Sequence, residues 1–207
     1  NIKPNIGLPD PLMFPTWKHH LRKIQATMNL DLLDDVLLPR TGYRLKGWYE
    51  AGLPDLKSDL HYHLFYTSFD LYSTFYRRHT VRLFGFTGMS WKDLPIYKFM
   101  NLGRPETFVG MEYDQLFASR LSILRFDYRY EYKKDIFFKF IVNCAFDADY
   151  RREGVTIRFH NLWGMGVGLT LLSPVGPLEI IFSRGDRNYV GPHIMQNVVY
   201  FTLGYKF

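Results

Sequence analysis

The chain has 207 residues and a mass of 24.6 kDa, enough for one domain with an apolar core, and 47% hydrophobic and 18% aromatic residues exclude a disordered or low-complexity chain. A single cysteine, Cys144, excludes an internal disulfide framework and a multi-cysteine zinc site. The net charge of +6 permits acidic partners, but the basic residues are dispersed rather than massed, so a solvated surface or lumen is expected and no nucleic-acid partner.

The elements follow a period of two. Residues 1–19, with four prolines, read as an N-terminal linker. Asn1-Ile2-Lys3-Pro4 has neither the basic start nor the apolar core of a leader, and the missing initiator Met is expected of a mature form or a fragment. A weak alternation predicts a strand near 20–31. Stronger ones follow near 41–52 (Tyr43, Leu45, Tyr49 against Arg44, Lys46, Glu50), near 58–69 and near 77–88. After the long connection 89–118 comes the clearest strand, 119–132. There Leu124, Phe126, Tyr128, Tyr130 and Tyr132 share one face, and Arg125, Asp127, Arg129 and Glu131 the other. A Lys133-Lys134-Asp135 turn leads to 135–149, where Ile136, Phe138, Phe140, Val142, Cys144 and Phe146 share a face. Strands near 163–173, 177–185 and 196–207 complete about nine, joined at Ser173–Gly176 by a tight turn.

No stretch reaches the roughly 18 apolar residues of a membrane-spanning helix, but alternating strands of about 9–11 residues span a bilayer as a barrel. The expected fold is therefore all-β: an antiparallel transmembrane β-barrel, or a half-barrel completed by another chain, with about 8–9 strands over residues 20–207. Long strands, aromatic ends and a mixed-charge polar face favour it over a soluble β-sandwich or lipocalin-like barrel. An unclosed half-barrel would leave strand edges unpaired in lipid, so closure as a small barrel or pairing with a second chain is required.

Particular segments carry a family resemblance. The chain ends Thr202-Leu203-Gly204-Tyr205-Lys206-Phe207, similar to the C-terminal signal read by the barrel-assembly machinery, with Gly204, Tyr205 and Phe207 as its residues. Asp34–Gly42 resembles a Pro-x-x-Gly turn before a strand, and Leu94–Phe99 followed by Leu102-Gly103 resembles the approach to an inward-folded loop. Together these resemble the bacterial surface antigen superfamily, outer-membrane barrel-assembly and two-partner-secretion translocators that include barrels attached to patatin-like phospholipases. The match covers only the C-terminal barrel half, about nine of a usual sixteen strands.

The resemblance implies an integral barrel in the outer membrane of a Gram-negative bacterium. Its partners would be outer-membrane lipid, the barrel-assembly machinery during biogenesis, and a homo-oligomer or envelope protein complex. It implies a role in anchoring, insertion or secretion. The alternatives are the membrane module of a patatin-like phospholipase whose catalytic domain lies outside this chain, and a soluble β-sandwich binding module.

The resemblance also places Phe108-Val109-Gly110-Met111 at the loop tip, where the family has Val-Arg-Gly-Phe, and Phe146-Asp147-Ala148-Asp149 on the wall that receives the family's arginine. Val109 replaces that arginine, so the usual lock cannot form. Gly103 and Gly110 permit tight reversals, and Arg104 or Glu112 is expected to meet a lumen charge such as Asp147 or Arg125 instead.

No catalytic residue is expected: there is no Gly-x-Ser-x-Gly elbow and no Gly-rich phosphate loop. His19-His20 and His61/His63 lack further clustered ligands, so neither a metal nor a cofactor is expected. Asp147 and Asp149, two apart, read as a structural charge ladder with Arg125 and Arg129 rather than an acid–base pair.

Overall fold

A computed structural model describes residues 20–91, 94–152, 154–174 and 176–204 of the chain. The strands are β1 (Lys23–Asp31), β2 (Gly42–Gly52), β3 (Tyr62–Phe75), β4 (His79–Trp91), β5 (Met100–Leu102), β6 (Leu116–Ala118), β7 (Arg120–Lys133), β8 (Ile136–Arg152), β9 (Val155–Arg158), β10 (Leu162–Ser173), β11 (Gly176–Asp186) and β12 (Met195–Leu203). The main sheet is a meander of antiparallel neighbours in the order β1-β2-β3-β4-β7-β8-β10-β11-β12, with β9 folded back on the end of β8. It is a barrel wall. Among the described residues β1 and β12 do not pair with each other, so each keeps one open edge.

Burial is inverted relative to a soluble sandwich. Phe126, Phe138, Phe140, Val167, Phe182, Val199 and Phe201 are exposed on the outer face, and Phe140 keeps 46% of its surface. Asp70, Arg125, Asp127, Arg129 and Asn143 are buried on the inner face. Burying charge is costly unless it is paired, whereas exposed apolar side chains suit hydrocarbon, so this arrangement fits a strand wall in a bilayer. Tyr128 and Leu169, on the same outward faces of β7 and β10, are half-buried. Near the β3–β4 and β7–β8 turns Phe75, Tyr76, His79, Tyr128, Tyr130, Tyr132 and Phe138 form an aromatic girdle.

Three expected boundaries shift. The strand expected to end at 69 continues to Phe75. Within this extension Asp70 is an inward ion-pair partner, and Thr74 Oγ1 donates to the Arg40 carbonyl at 2.7 Å. The hairpin turn falls instead at Tyr76 and Arg77, both left-handed at φ +48° and +61°. The long connection begins only after Trp91, and β8 runs on to a hairpin with β9. The weak first strand is fully paired with β2 from Lys23↔Gly52 to Asp31↔Arg44.

The inner face has two zones. Toward the short turns, charges cross the wall strand by strand. Asp31 meets Arg44 at 3.9 Å, Arg44 meets Asp70 at 2.9 Å, Arg82 bridges Asp70 at 2.6 Å and Asp127 at 3.1 Å, and Arg125 meets Asp127 at 2.6 Å. Each carboxylate has an arginine on a facing or diagonal position, which satisfies the charges where water is scarce. Toward the opposite end the inner face turns apolar with Phe84, Leu121, Ile123, Ala145 and Leu162.

Candidate functional site

The β4–β7 connection fills that apolar half of the lumen. β5 and β6 pair through Met100↔Ala118, Asn101↔Phe117 and Leu102↔Leu116, and carry the loop inward as a narrow ribbon. Met100, Leu102, Phe108, Met111 and Leu116 pack on the apolar wall residues. Gly103 and Gly110 take φ +106° and +96°, the left-handed region expected at the reversals.

The loop's base hangs from the charge ladder. Arg125, 4% exposed, donates through Nη1 to the Pro105 carbonyl at 2.6 Å, and Arg82 Nη1 donates to the Glu106 carbonyl at 3.1 Å. The loop tip is held differently. Val109 N–H donates to Asn143 Oδ1 at 2.9 Å, and Asn143 Nδ2 donates to the Val109 carbonyl at 3.2 Å. A side-chain amide thus imitates one rung of a β-ladder. The Val109 side chain, fully buried, packs with Ile141, Ile181 and Tyr200. Met111 N–H donates to Tyr200 Oη at 3.2 Å, and Tyr200 Oη donates back to the Met111 carbonyl. Gln196 Nε2 reaches the Gly110 carbonyl at 3.3 Å and Gln115 Oε1 at 2.7 Å.

Close backbone approach sets this seat. A Cβ on Gly110 would lie 2.7 Å from the Gly185 Cα, and one on Gly185 would lie 2.8 Å from the Gly110 Cα. A Cβ on Gly164 would fall on the Val109 carbonyl oxygen. The tip lies backbone against backbone on β10 and β11, a contact only glycine allows.

The expected substitute lock is not the one found. Arg104 pairs within the loop, bidentate to Asp114 at 2.7 and 3.0 Å, and reaches neither Asp147 nor Arg125. This pair holds the Asp114 carboxyl below its usual range, chiefly through the Arg104 hydrogen bonds, and raises the guanidinium of Arg104. Glu112 is exposed, and its N–H donates to Gln115 Oε1 at 2.8 Å. Asp147, 51% exposed at its side chain, pairs with Arg120 at 2.6 Å. Asp147 does not share a face with buried Asp149, because a bulge opposite Arg120–Ser122 puts Asp147 at φ +51° and breaks the alternation. Arg129 donates to the Pro39 carbonyl at 2.6 Å, and Lys139 pairs with Glu179 across β10. His63 bonds the Tyr49 hydroxyl at 2.9 Å and His61 the Ser58 carbonyl at 2.9 Å, so the two do not converge. Gly204 ends the described residues, while Tyr205 and Phe207 of the expected assembly signal, like His19, lie outside them.

Asn143, Gly164, Gly185, Gln196 and Tyr200 are the site residues that sequence reasoning missed. Gly164, Gly166 and Gly168 alternate along β10 as a small-residue inner face, a sequence signal that does not say what the face receives.

An antiparallel transmembrane wall with one long connection folded back into its lumen defines a class of barrel. Residues 16–207 match the model of the Omp85 superfamily domain, and the chain belongs to that superfamily of outer-membrane barrels. The fold is similar to that of BamA from Haemophilus ducreyi lacking POTRA domains 1–3, with a TM-score of 0.67 and 14% identity over 86% of this chain. The chain spans 42% of that structure's length. No curated protein matches the chain.

Proposed function

We propose that this chain is the C-terminal wall of a translocator barrel in the outer membrane of a Gram-negative bacterium. It anchors or assembles with other envelope proteins and takes part in protein insertion or secretion. The observation that carries this reading is the inward loop, its tip seated on the Gly185 strand by Asn143 and Tyr200. A connection buried this deeply in the lumen obstructs a pore and can control it, which a simple membrane anchor does not need. The open edges of β1 and β12 support completion by further strands, since lipid cannot satisfy unpaired backbone groups. In this reading the long connections face the exterior, the short turns face the periplasm, and the surrounding partners are lipid and envelope proteins, with copies of the chain among them.

The test uses the full-length protein in proteoliposomes with an unfolded outer-membrane barrel as client. Faster client folding than in empty vesicles, lost in Gly110→Val, is the expected result. The second reading, the membrane module of a patatin-like phospholipase, draws on buried Val109 standing in place of a tip cation, which favours a fixed loop. It predicts no effect on client folding and phospholipid hydrolysis by the full-length protein.

A further inference from the structure

At the rim where the loop enters the lumen, three metal-ligating side chains from separate stretches of chain converge. His160 lies between β9 and β10, Asp186 ends β11, and His193 belongs to the β11–β12 connection. One ligand atom from each lies within 4.8 Å of the other two, and the imidazole centroids are 4.0 Å apart.

The hydrogen bonds prepare the set for a cation. His160 Nδ1 faces the Asn161 carbonyl at 3.0 Å, and a carbonyl only accepts, so Nδ1 carries the proton. That leaves Nε2 with its lone pair, and this buried atom has no hydrogen-bond partner among the described residues. An imidazole fixed through Nδ1–H to a backbone carbonyl is the arrangement that orients a metal-binding histidine. The Asp186 carboxylate, 1% exposed, is held by the Trp163 N–H on Oδ2 at 2.7 Å, while Oδ1 lies 2.9 Å from His193 Nδ1. A structural ion pair of Asp186 with His193 needs no second imidazole against it and would not leave the His160 nitrogen bare.

We infer that His160, Asp186 and His193 form a site for a zinc-class divalent ion. Two imidazoles and one carboxylate match the borderline-soft preference of zinc, and three protein ligands leave a fourth position for water. Ligand atoms around such an ion sit about 3.4 Å apart at the usual bond lengths of about 2.1 Å. Rotation of the exposed His193 side chain closes the remaining distance. The bound ion joins the start of β10, the end of β11 and the β11–β12 connection. It thereby fixes Asp186, whose neighbour Gly185 receives the loop tip, and Arg187, whose carbonyl accepts from Gln115 of the loop at 2.9 Å.

The experiment is calorimetric titration of the folded full-length protein in detergent with ZnCl2, and with MgCl2 as a hard-cation comparison. Zinc binding at one ion per chain and none by magnesium is expected. His193→Ala changes an exposed side chain and should fold as the parent does, while weakening zinc by about 100-fold. His160→Gln should do the same, and His61→Ala with His63→Ala should leave the affinity unchanged. Co2+ should give the visible absorption of a tetrahedral site in the parent and lose it in His193→Ala. Absence of zinc binding up to about 0.1 mM, unchanged affinity in His193→Ala, or equal binding of magnesium overturns the assignment.

Discussion

Two walls hold the same loop by different means. The wall from β1 to β7 presents a ladder of paired charges and grips the loop base through the carbonyls of Pro105 and Glu106. The wall from β8 to β12 presents glycines, two amides and one phenol, and grips the tip by contact and shape. A guanidinium already neutralised by carboxylates can still donate to a carbonyl, so the ladder serves the barrel and the loop together. The glycine wall serves the loop tip almost exclusively, because nothing else requires Gly110 and Gly185 to touch. The first wall therefore couples loop and barrel stability, whereas the second separates them.

The largest expected effect falls on the ladder. Arg82→Met leaves Asp70 and Asp127 short of their shared partner and should cost the folded barrel about 3–5 kcal/mol, read as a lower urea midpoint in detergent. A barrel of unchanged stability would mean that the ladder is incidental to the wall. Next comes Gly110→Val, which adds a branched side chain at φ +96° and against the Gly185 backbone. It should cost the seated loop about 3 kcal/mol. Labelling of a Val109→Cys probe, in a Cys144→Ser background, should become fast while the barrel's urea midpoint stays near the parent's. If both quantities move together, the separation of tip from wall fails.

A smaller change sharpens the same contrast. Asn143→Ala strips both partners from the Val109 peptide and should weaken the seat by about 1–3 kcal/mol. Tip labelling should be intermediate between the parent and Gly110→Val. The smallest effect concerns the half-exposed Arg104–Asp114 pair. Because the Asp114 carboxyl titrates lower in the folded loop than in an unfolded chain, its contribution is complete above the ordinary carboxylate range. It is lost as pH falls through the lowered value. Exposure limits that contribution to less than about 1 kcal/mol. Acidification below about pH 4 should slightly lower the hydrogen-exchange protection of the Val109 and Met111 amides in the parent, and Asp114→Asn should remove that pH dependence.

The amino-acid sequence by itself determined the wall. Strict alternation assigns Phe126 and Phe140 outward and Arg125 and Asp127 inward, because a strand has only two faces and a slip of one residue would put charge into lipid. It also determined that residues 89–118 are too long for a turn and contain glycines able to reverse. The strand expected to end at 69 runs on to Phe75, since the partners that hold Asp70 in the sheet, Arg44 and Arg82, lie on other strands and local composition does not reveal them. The tertiary structure alone decided how the loop is held. Asn143, Gly185 and Tyr200 lie 34, 75 and 89 residues or more from the tip segments they contact, and an Asn, a Gly and a Tyr on alternating strands carry no local mark of that task. The bulge at Asp147 likewise depends on pairing with Arg120, so its side chain left the face that alternation assigned it. Periodicity is a local property of backbone geometry, whereas the seat of the loop is a meeting of surfaces that exists only once the sheet has curved around it.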